Sequence, residues 1–423
     1  MPAQRDRARV ALAMVGLPAR GKSYIARKVA RYLSWLGHKT RVFNVGAYRR
    51  AHVGSRQPNE FFDPNNAAGR STLHDVAMMA LDDLLDWFDD GGEVGIYDAT
   101  NSTKTRRRIV EARCKQRGIP LVFIESICND PAIVDANVRE TKLSMPDYAG
   151  VDPEEAVRDF RARIGHYERV YEPIDDADGS YIKIIDVGQK VVLNRIPPHL
   201  PGRLVPLLIN LHITPRPILL TRHGESAFNV LGIIGGDADL SPRGEEYAKN
   251  LARFIHERLG HDDALTVWTS TLRRTIQTAL PLAAKSQPFR ALDEIDAGIC
   301  DGMTYEQIRE QMPDVYAARK ADKFRYRYPR GESYEDIIQR LDPLIIQLER
   351  QTSPVLLIGH QAVLRALYAY LMDKPPNECP RLELPLHTVV QLTPTAYGCD
   401  EQRFELPPSL EHDAEKDRPS NRL

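Results

Sequence analysis

A short motif near the start of this chain combines residue types that bind phosphate groups. Residues 16–23 read GLPARGKS and fit the P-loop pattern G-x-x-x-x-G-K-[ST]. In such a loop the backbone N–H groups surround the phosphates, the lysine reaches the β- and γ-phosphates, and the hydroxyl binds Mg²⁺. Apolar residues at 10–15 predict a strand before the motif, and residues 25, 29, 33 and 36 recur at helical spacing after it. The predicted nucleotide site comprises Gly16, Leu17, Pro18, Ala19, Arg20, Gly21, Lys22, Ser23 and Tyr24.

An acidic residue follows a second apolar run. Asp98 ends the run 94–97 and precedes Thr100. Phosphoryl transfer from a P-loop needs an acid at the end of a neighbouring strand to hold Mg²⁺. Aspartate also favours helix caps and turns, but the buried strand before Asp98 favours a magnesium site made with Ser23. If the second substrate is a phosphate ester, candidate cations are Arg49, Arg106, Lys142 and Arg163, although each alone is more often a solvated surface charge.

The second half of the chain carries two histidines that each follow a predicted strand. Residues 221–226 read TRHGES directly after the apolar run 218–220. A histidine there can attack phosphorus through a ring nitrogen and form a phosphohistidine, and Arg222 could hold the phosphoryl oxygens with its planar guanidinium. His360 follows the strand predicted at 355–358, and Arg274 opens a helix after the strand at 265–268. We predict that His223, His360, Arg222 and Arg274 converge at one sheet edge as a pocket for a transferring phosphoryl group; His360 could equally be a capping or core histidine.

A departing alkoxide needs a proton. Glu294, in the segment LDEID, is the predicted general acid, a role that calls for a raised pKa supplied by burial or by the incoming phosphate. A salt-bridging surface glutamate is the alternative, and the residues alone favour it.

The elements that must position these groups alternate between strand and helix in both halves. Helices are predicted at 76–88, 153–171, 244–259, 333–350 and 362–372, and further strands at 121–127 and 183–187. Such alternation predicts parallel sheets covered on both faces, so the fold class is α/β. Prolines interrupt the stretch 195–217, where we expect a packed connector with a short helix at 205–213. The predicted domains are residues 1–213 and 214–407, followed by a disordered tail at 408–423.

Composition excludes some classes of protein. The formal net charge of the 423 residues is −1, which gives no global argument for binding nucleic acid or a membrane surface. No apolar run approaches the roughly 20 residues of a membrane span. Five cysteines without metal-ligand spacing favour a reducing, cytoplasmic setting.

The motifs together resemble the 6-phosphofructo-2-kinase/fructose-2,6-bisphosphatase family, from about residue 10 to residue 406. The segments that carry the resemblance are GLPARGKSYIARK, FNVGAYRR, YDATN, ESICNDP, TKLSMPDY, SYIKIIDVG, TRHGESAFN, GGDADLSPRGEEYAKNLA, WTSTLRRTIQTA, LDEIDAG, MTYEQI, RYRYPRGESYEDIIQRL, HQAVLRALYAY and PLHTVVQLTP. The resemblance implies a P-loop kinase domain with a mainly parallel sheet, followed by a histidine-phosphatase domain like that of phosphoglycerate mutases. It implies transfer of the ATP γ-phosphoryl group to the 2-hydroxyl of fructose 6-phosphate with Mg²⁺, and hydrolysis of fructose 2,6-bisphosphate to fructose 6-phosphate and phosphate without a cofactor. A homodimer is plausible for such a chain.

The resemblance also implies residue roles. In the kinase, catalysis would use Lys22, Asp98 and Cys128, the nucleotide would contact Asn137 and Lys142 as well as the P-loop, and the sugar phosphate would be held by Arg49, Thr100, Arg106, Lys142, Arg163 and Tyr167. In the phosphatase, His223 would be phosphorylated and Glu294 would protonate the leaving oxygen. The bisphosphate would be bound by Arg222, Asn229, Gly235, Arg274, Tyr305, Arg319, Lys323, Tyr334, Gln361 and Arg365.

One position departs from the family pattern. Leu73 stands where relatives carry a basic residue that binds fructose 6-phosphate, and Arg70, one helical turn earlier, could substitute for it. Two other hypotheses stay open: one site could dominate or the sugar could differ, or the chain could be a nucleotide-gated regulatory protein whose phosphatase fold only binds phosphorylated ligands. The presence of Lys22, His223 and Glu294 argues against the regulatory protein.

Overall fold

The computed structural model describes residues 9–139, 146–212, 214–260, 265–395 and 398–408. Its internal contacts divide the chain into two units, Met1–Ile213 and Thr214–Leu423. Each unit contains one six-stranded sheet with helices packed against it. Lys142 and the tail from residue 409 onward, both subjects of predictions above, lie outside the described residues.

The first unit has strand order β2-β3-β1-β4-β5-β6. All neighbours run parallel except β6, which is antiparallel to β5. Its strands are β1 Val10–Val15, β2 Thr40–Asn44, β3 Val94–Asp98, β4 Leu121–Ile127, β5 Tyr181–Ile185 and β6 Lys190–Asn194. Its helices are α1 Lys22–Trp35, α2 Val45–Val53, α3 Ala67–Asp89, α4 Lys104–Gln116, α5 Pro131–Asn137, α6 Pro153–Glu168 and α7 Leu200–Asn210.

The central strand of this sheet brings two predicted motifs to one edge. All six residues of β1 are apolar and buried, as expected of a strand covered on both faces. Because β1 and β3 are parallel, with Ala13 opposite Tyr97, the P-loop and Asp98 leave the sheet at the same carboxyl edge. In open α/β sheets, ligands bind outside this edge.

The second unit has strand order β12-β11-β7-β10-β8-β9. Its strands are β7 Ile218–Arg222, β8 Thr266–Thr269, β9 Ser286–Pro288, β10 Val355–Gly359, β11 Thr388–Pro394 and β12 Cys399–Glu405. Its helices are α8 Ala227–Val230, α9 Pro242–Leu259, α10 Arg273–Ala279, α11 Tyr305–Gln311, α12 Pro313–Ala321, α13 Tyr334–Arg350 and α14 Gln361–Leu371. β7, β10, β8 and β9 are parallel, whereas β11 is antiparallel to both β7 and β12.

Register in this second sheet decides which side chains meet. Gly359 pairs with Arg222 across β10 and β7, and Ile358 pairs with Thr269 across β10 and β8. The residues that follow these three strands therefore emerge side by side at one edge. Among them are His223 and His360.

Some predicted bounds were wrong. The connector helix is α7, which begins at Leu200 rather than at 205, five residues earlier than predicted, and ends at Asn210 rather than at 213. Pro201 fits the first turn of a helix, where its missing N–H has no role, and Pro206 removes only one interior hydrogen bond. Strand β5 lies two residues before its predicted position, and β11 and β12 were not predicted as strands. In the described part of the chain, no helix has the length and apolar character that crossing a membrane requires.

Candidate active sites

The P-loop turns on two glycines with left-handed backbone. Gly16 has φ of 135°, and a Cβ there would lie 2.5 Å from the Ser126 carbonyl oxygen, so no larger residue fits. Gly16 N–H donates to the Thr100 carbonyl at 2.9 Å, which ties the loop to the segment after β3. Lys22 is buried at the start of α1 and its Nζ donates to the Leu17 carbonyl at 2.6 Å. The loop is thus preformed over the N-terminus of α1, where an anion is favoured.

Asp98 is 4% exposed and is oriented by a residue that the sequence patterns did not single out. Asn44 Nδ2 donates to Asp98 Oδ2 at 2.5 Å, and Asn44 Oδ1 accepts the Ala47 N–H at 2.8 Å to cap α2. One amide therefore orients the acid and fixes the start of the helix that carries Arg49. An asparagine between a strand and a helix is a recognisable capping signal, but its contact with Asp98 depends on the pairing of β2 with β3.

A small, mostly apolar cavity lies beside the P-loop. Its lining includes Arg20, Tyr24, Cys128 and Asn137, and most of its other wall residues are apolar. Asn137 Nδ2 donates to the Ala19 carbonyl at 3.1 Å, joining α5 to the loop. Burial raises the pKa of the Cys128 thiol, so this group stays protonated at neutral pH and forms part of the wall. The mostly apolar lining suits the flat, less polar part of a nucleotide whose phosphates lie on the loop.

Two predicted sugar-phosphate residues converge on one aromatic ring. The Cζ of Arg163 lies 3.6 Å from the centroid of Phe62, and that of Arg49 lies 5.5 Å from it. Burial lowers the pKa of Arg49, a shift opposed by its hydrogen bond to Asp147 and reinforced by nearby Arg163. Asp147 bridges Arg49 and Arg50. Paired guanidinium groups of this kind suit a phosphate ester.

The structure gives other kinase predictions less support. Arg106 and Tyr167 are half-buried, the latter one turn after Arg163 on α6. Arg70 is exposed and donates to the Pro64 carbonyl at 3.3 Å. Within the described residues, no hydrogen bond or ion pair joins Arg70 to Arg49 or Arg163, so its replacement of the missing charge at Leu73 stays a prediction.

In the second unit, one ring nitrogen of His223 is used in a hydrogen bond to the backbone. It is 4% exposed, and its Nδ1 lies 2.6 Å from the Gly224 carbonyl. A carbonyl only accepts, so Nδ1 carries the proton and Nε2 has the lone pair needed for attack. Burial, followed by the charges of Arg274 and Arg222, holds the pKa of His223 well below its usual range. The imidazole is therefore neutral and nucleophilic at physiological pH.

His360 lies beside it, with the two ring centroids 5.0 Å apart. It is fully buried, and burial, with neighbouring His223 and Arg274, holds its pKa well below the usual range. Its Nε2 lies 2.8 Å from Ser270 Oγ. The predicted pairing of the two histidines is present in the structure.

Arginines and a carboxylate complete this edge. Burial lowers the pKa of Arg222 to about 10, and also lowers that of Arg274, whose Nη1 donates to the Gly236 carbonyl at 2.8 Å. Both guanidinium groups remain charged at neutral pH. Glu294 Oε1 accepts the N–H groups of Ile295 at 2.9 Å and Ala362 at 3.2 Å, which places this carboxylate at the start of α14, next to His360.

A cationic group of residues lies on α12, on α14 and in the segment between them. Arg319 donates to Tyr328 Oη at 2.6 Å and to Tyr305 Oη at 2.8 Å, and Arg365 Nη1 donates to Tyr334 Oη at 3.3 Å. Burial, followed by the charges of Arg319 and Arg365, lowers the pKa of Lys323 to about 8. Three cations held together against this repulsion indicate a site for a second anionic group.

The remaining phosphatase predictions concern a loop and two amides. Asn229 Oδ1 accepts the Ser226 N–H at 3.0 Å to cap α8, which leaves only its amide hydrogens for a phosphoryl oxygen. Gly235 has φ of 74°, and a Cβ there would lie 1.5 Å from Asp301 Oδ1, so the loop needs glycine. Gln361 is the half-buried first residue of α14.

His387, within the motif PLHTVVQLTP, was not predicted as a site residue, and it supports the loop that carries His223. Its Nε2 accepts the Glu225 N–H at 3.4 Å, and its ring lies 4.9 Å from that of Tyr247. Its φ of 57° lies in the left-handed region. A residue other than glycine keeps this backbone conformation only where the surrounding contacts hold it in place.

Comparison with known proteins gives a consistent assignment. A model described as 6-phosphofructo-2-kinase matches residues 2–215, and one for the histidine phosphatase superfamily (branch 1) matches residues 218–406. A 6-phosphofructo-2-kinase/fructose-2,6-bisphosphatase of Arabidopsis thaliana is 51% identical over 94% of this chain, which spans 54% of the plant protein. The enzyme numbered 4 of Rattus norvegicus is 50% identical over 97% of this chain and 87% of its own length. The enzyme numbered 1 of Homo sapiens is 50% identical over 93% of this chain and 83% of its own length.

The family expected from the motifs is thus confirmed, and so is the pair of α/β domains. The kinase domain implies the use of ATP. The chain belongs to the 6-phosphofructo-2-kinase/fructose-2,6-bisphosphatase family, and is a bifunctional enzyme that makes and hydrolyses fructose 2,6-bisphosphate.

Proposed function

We propose that the edge formed by His223, His360, Arg222, Arg274 and Glu294 carries the bisphosphatase reaction. His223 Nε2 attacks phosphorus of the 2-phosphoryl group, the bond from phosphorus to the sugar oxygen breaks, and phosphohistidine forms. Glu294 gives its proton to the leaving sugar oxygen and then accepts one from the water that hydrolyses the intermediate. The observation that carries this proposal is the neutral His223 with Nδ1 occupied by Gly224 and two arginines beside it.

The cationic group of Arg319, Lys323 and Arg365 would bind the 6-phosphate of the same sugar. Its tyrosines hold the guanidinium groups in fixed directions before substrate arrives. Binding of the 6-phosphate, which does not react, would supply binding energy that aligns the 2-phosphoryl group with His223.

In the kinase, the P-loop would hold the β- and γ-phosphates of ATP, with Lys22 over the transferred group. The cavity lined by Tyr24, Cys128 and Asn137 would take the base. Arg49 and Arg163 would bind the phosphate of fructose 6-phosphate and direct its 2-hydroxyl to the γ-phosphorus. Thr100, Arg106, Tyr167 and Lys142 are further proposed contacts.

The donor set at the sheet edge fits Mg²⁺. Asp98 uses Oδ2 for its bond to Asn44, so Oδ1 is available, and Ser23 supplies a hydroxyl at the P-loop. Mg²⁺ commonly takes one or two protein oxygens and completes its shell with phosphates and water. In the described residues, no group of three or more His, Cys, Asp or Glu side chains is placed to hold a metal ion. When bound, the ion would neutralise phosphate charge. Asp98 and Ser23 would fix its position.

The experiment uses purified protein, Mg²⁺, fructose 6-phosphate and γ-labelled ATP, and follows label in sugar and protein over time. We expect label in an acid-labile sugar bisphosphate and, transiently, on the protein. His223→Ala should abolish protein labelling while sugar labelling continues. Failure to label sugar, while supplied fructose 2,6-bisphosphate is hydrolysed, would refute the kinase assignment. Failure of both reactions would favour a regulatory protein.

Location and assembly are proposed on less direct grounds. The four buried cysteines, Cys114, Cys128, Cys300 and Cys379, are free thiols, which supports a cytoplasmic protein. A homodimer stays a prediction that sedimentation analysis can check.

A further inference from the structure

A buried pair of hydroxyls lies behind His360. Ser270 follows β8 and Thr275 lies in α10, and both are fully buried. Ser270 Oγ is 2.8 Å from His360 Nε2, 2.8 Å from Thr275 Oγ1, and 3.1 Å from the Leu272 N–H that donates to it. Neither hydroxyl is among the groups proposed to take part in the reaction.

The other ring nitrogen of His360, Nδ1, differs from Nε2 in its hydrogen bonding. Within the described ranges, His360 Nδ1 has no hydrogen-bond partner although it is buried. A buried polar atom without a partner is unfavourable unless a ligand supplies one. Because Nε2 is hydrogen-bonded to Ser270, Nδ1 is the nitrogen left for a phosphoryl oxygen. His223, Arg222 and Arg274, the proposed phosphoryl-binding residues, lie close enough to affect His360 electrostatically.

Two proton arrangements satisfy the distances around Ser270. In one, Thr275 donates to Ser270, and Ser270 donates to His360 Nε2, so the ring proton is on Nδ1. In the other, Thr275 donates to the Leu272 carbonyl at 2.8 Å, Ser270 donates to Thr275, and His360 donates from Nε2. A phosphoryl oxygen only accepts hydrogen bonds, so a neutral His360 can bind it only in the first arrangement.

We infer that Ser270 is a positioning residue for the bisphosphatase, which holds His360 through Nε2 and keeps the Nδ1 proton directed at the transferring phosphoryl group. This inference rests on the role proposed for His360. Thr275 supports it by donating to Ser270, so that the single proton of Ser270 is available to the imidazole. The partner of a histidine commonly sets which nitrogen carries the proton.

The test is a double-mutant cycle with Ser270→Ala and His360→Ala in the full chain, measuring phosphatase kcat and KM. Removing a donor to a developing charge lowers kcat by about 10²- to 10³-fold, which is the expectation for His360→Ala. Ser270→Ala leaves the ring present without its tautomer control, so we expect a loss of about 10- to 100-fold in kcat with little change in KM. The double variant should match His360→Ala, because Ser270 acts through that ring.

A matched control is Thr269→Val, which removes the neighbouring buried hydroxyl while keeping its shape. Among the described residues Thr269 Oγ1 has no partner, so kcat should stay at the wild-type value. Kinase activity of the same variants reports on the integrity of the chain. Wild-type kcat in Ser270→Ala, or losses that multiply in the double variant, would overturn the inference.

Nitrogen-15 NMR of labelled histidine, with inorganic phosphate bound and His360 assigned through its variant, gives an independent readout. We expect a protonated Nδ1 and an unprotonated Nε2 in the wild-type chain, and loss of this preference in Ser270→Ala. A protonated Nε2 with phosphate bound would contradict the assigned tautomer. If His360→Ala keeps full phosphatase activity, the proposed role of His360 itself is wrong. That result differs from one in which His360→Ala loses activity and Ser270→Ala does not.

Discussion

The lowered pKa of Lys323 predicts a specific loss of substrate affinity in mild alkali. Its value of about 8 means that the ammonium is mostly charged at pH 7 and mostly neutral at pH 9. The group binds as a cation, so affinity is present below this pKa and lost above it. A phosphate monoester, with its second pKa near 6, stays a dianion throughout this range.

The magnitude follows from the protonated fraction of the free enzyme. That fraction falls from about nine-tenths at pH 7 to about one-eleventh at pH 9, so KM for fructose 2,6-bisphosphate should rise about tenfold. This loss is about 1.4 kcal/mol of binding free energy, at or just below the usual range for a hydrogen bond to a charged group. Initial rates of phosphate release across pH 7–9 measure it.

Variants separate this effect from general alkaline damage. Lys323→Arg keeps its charge and should show a nearly flat KM, whereas Lys323→Met should have a raised KM at pH 7 and no further rise. Lys320→Met, at an exposed position near the end of α12 and three residues before Lys323, is the matched control and should follow the wild-type curve. A flat wild-type KM, or the same slope in Lys323→Arg, would refute the reasoning.

Three further predictions concern the kinase. Gly16→Ala should abolish ATP binding in calorimetry while phosphatase activity persists, because the new Cβ would lie 2.5 Å from the Ser126 carbonyl; measurable ATP affinity near the wild-type value would show that the loop adapts. Asn44→Ala should lower kinase kcat by about tenfold, the effect of about 1.4 kcal/mol from one lost hydrogen bond to Asp98; unchanged kinetics would remove Asn44 from the site. Arg70→Ala should raise the KM for fructose 6-phosphate about 10- to 100-fold if Arg70 supplies the charge absent at Leu73, and an unchanged KM would end that hypothesis.

Local sequence was sufficient for the elements whose signals lie within a few residues. The P-loop, the apolar strands β1 and β10, and the capped helix α13 have their own start and stop signals, so they were predicted to within a residue or so. The hairpin of β11 and β12 was missed. β12 is a half-exposed edge strand with a weak apolar pattern, and the short buried strand β11 is stabilised by its pairing with β7 and β12. The start of α7 was misplaced because prolines were taken to interrupt helices. Both prolines of α7 lie where a helix tolerates them.

The types of the reacting groups were likewise readable from sequence, because only certain side chains bind phosphate or form phosphohistidine. Their mutual arrangement was decided by the tertiary structure. Parallel register sets β7, β8 and β10 side by side, and this alone brings Ser270 within hydrogen-bond distance of a histidine 90 residues later. The pairing of β2 with β3 does the same for Asn44 and Asp98. Such contacts, and the burial that lowers the pKa values of His223 and Lys323, depend on what surrounds a residue in space, which neighbours along the chain do not specify.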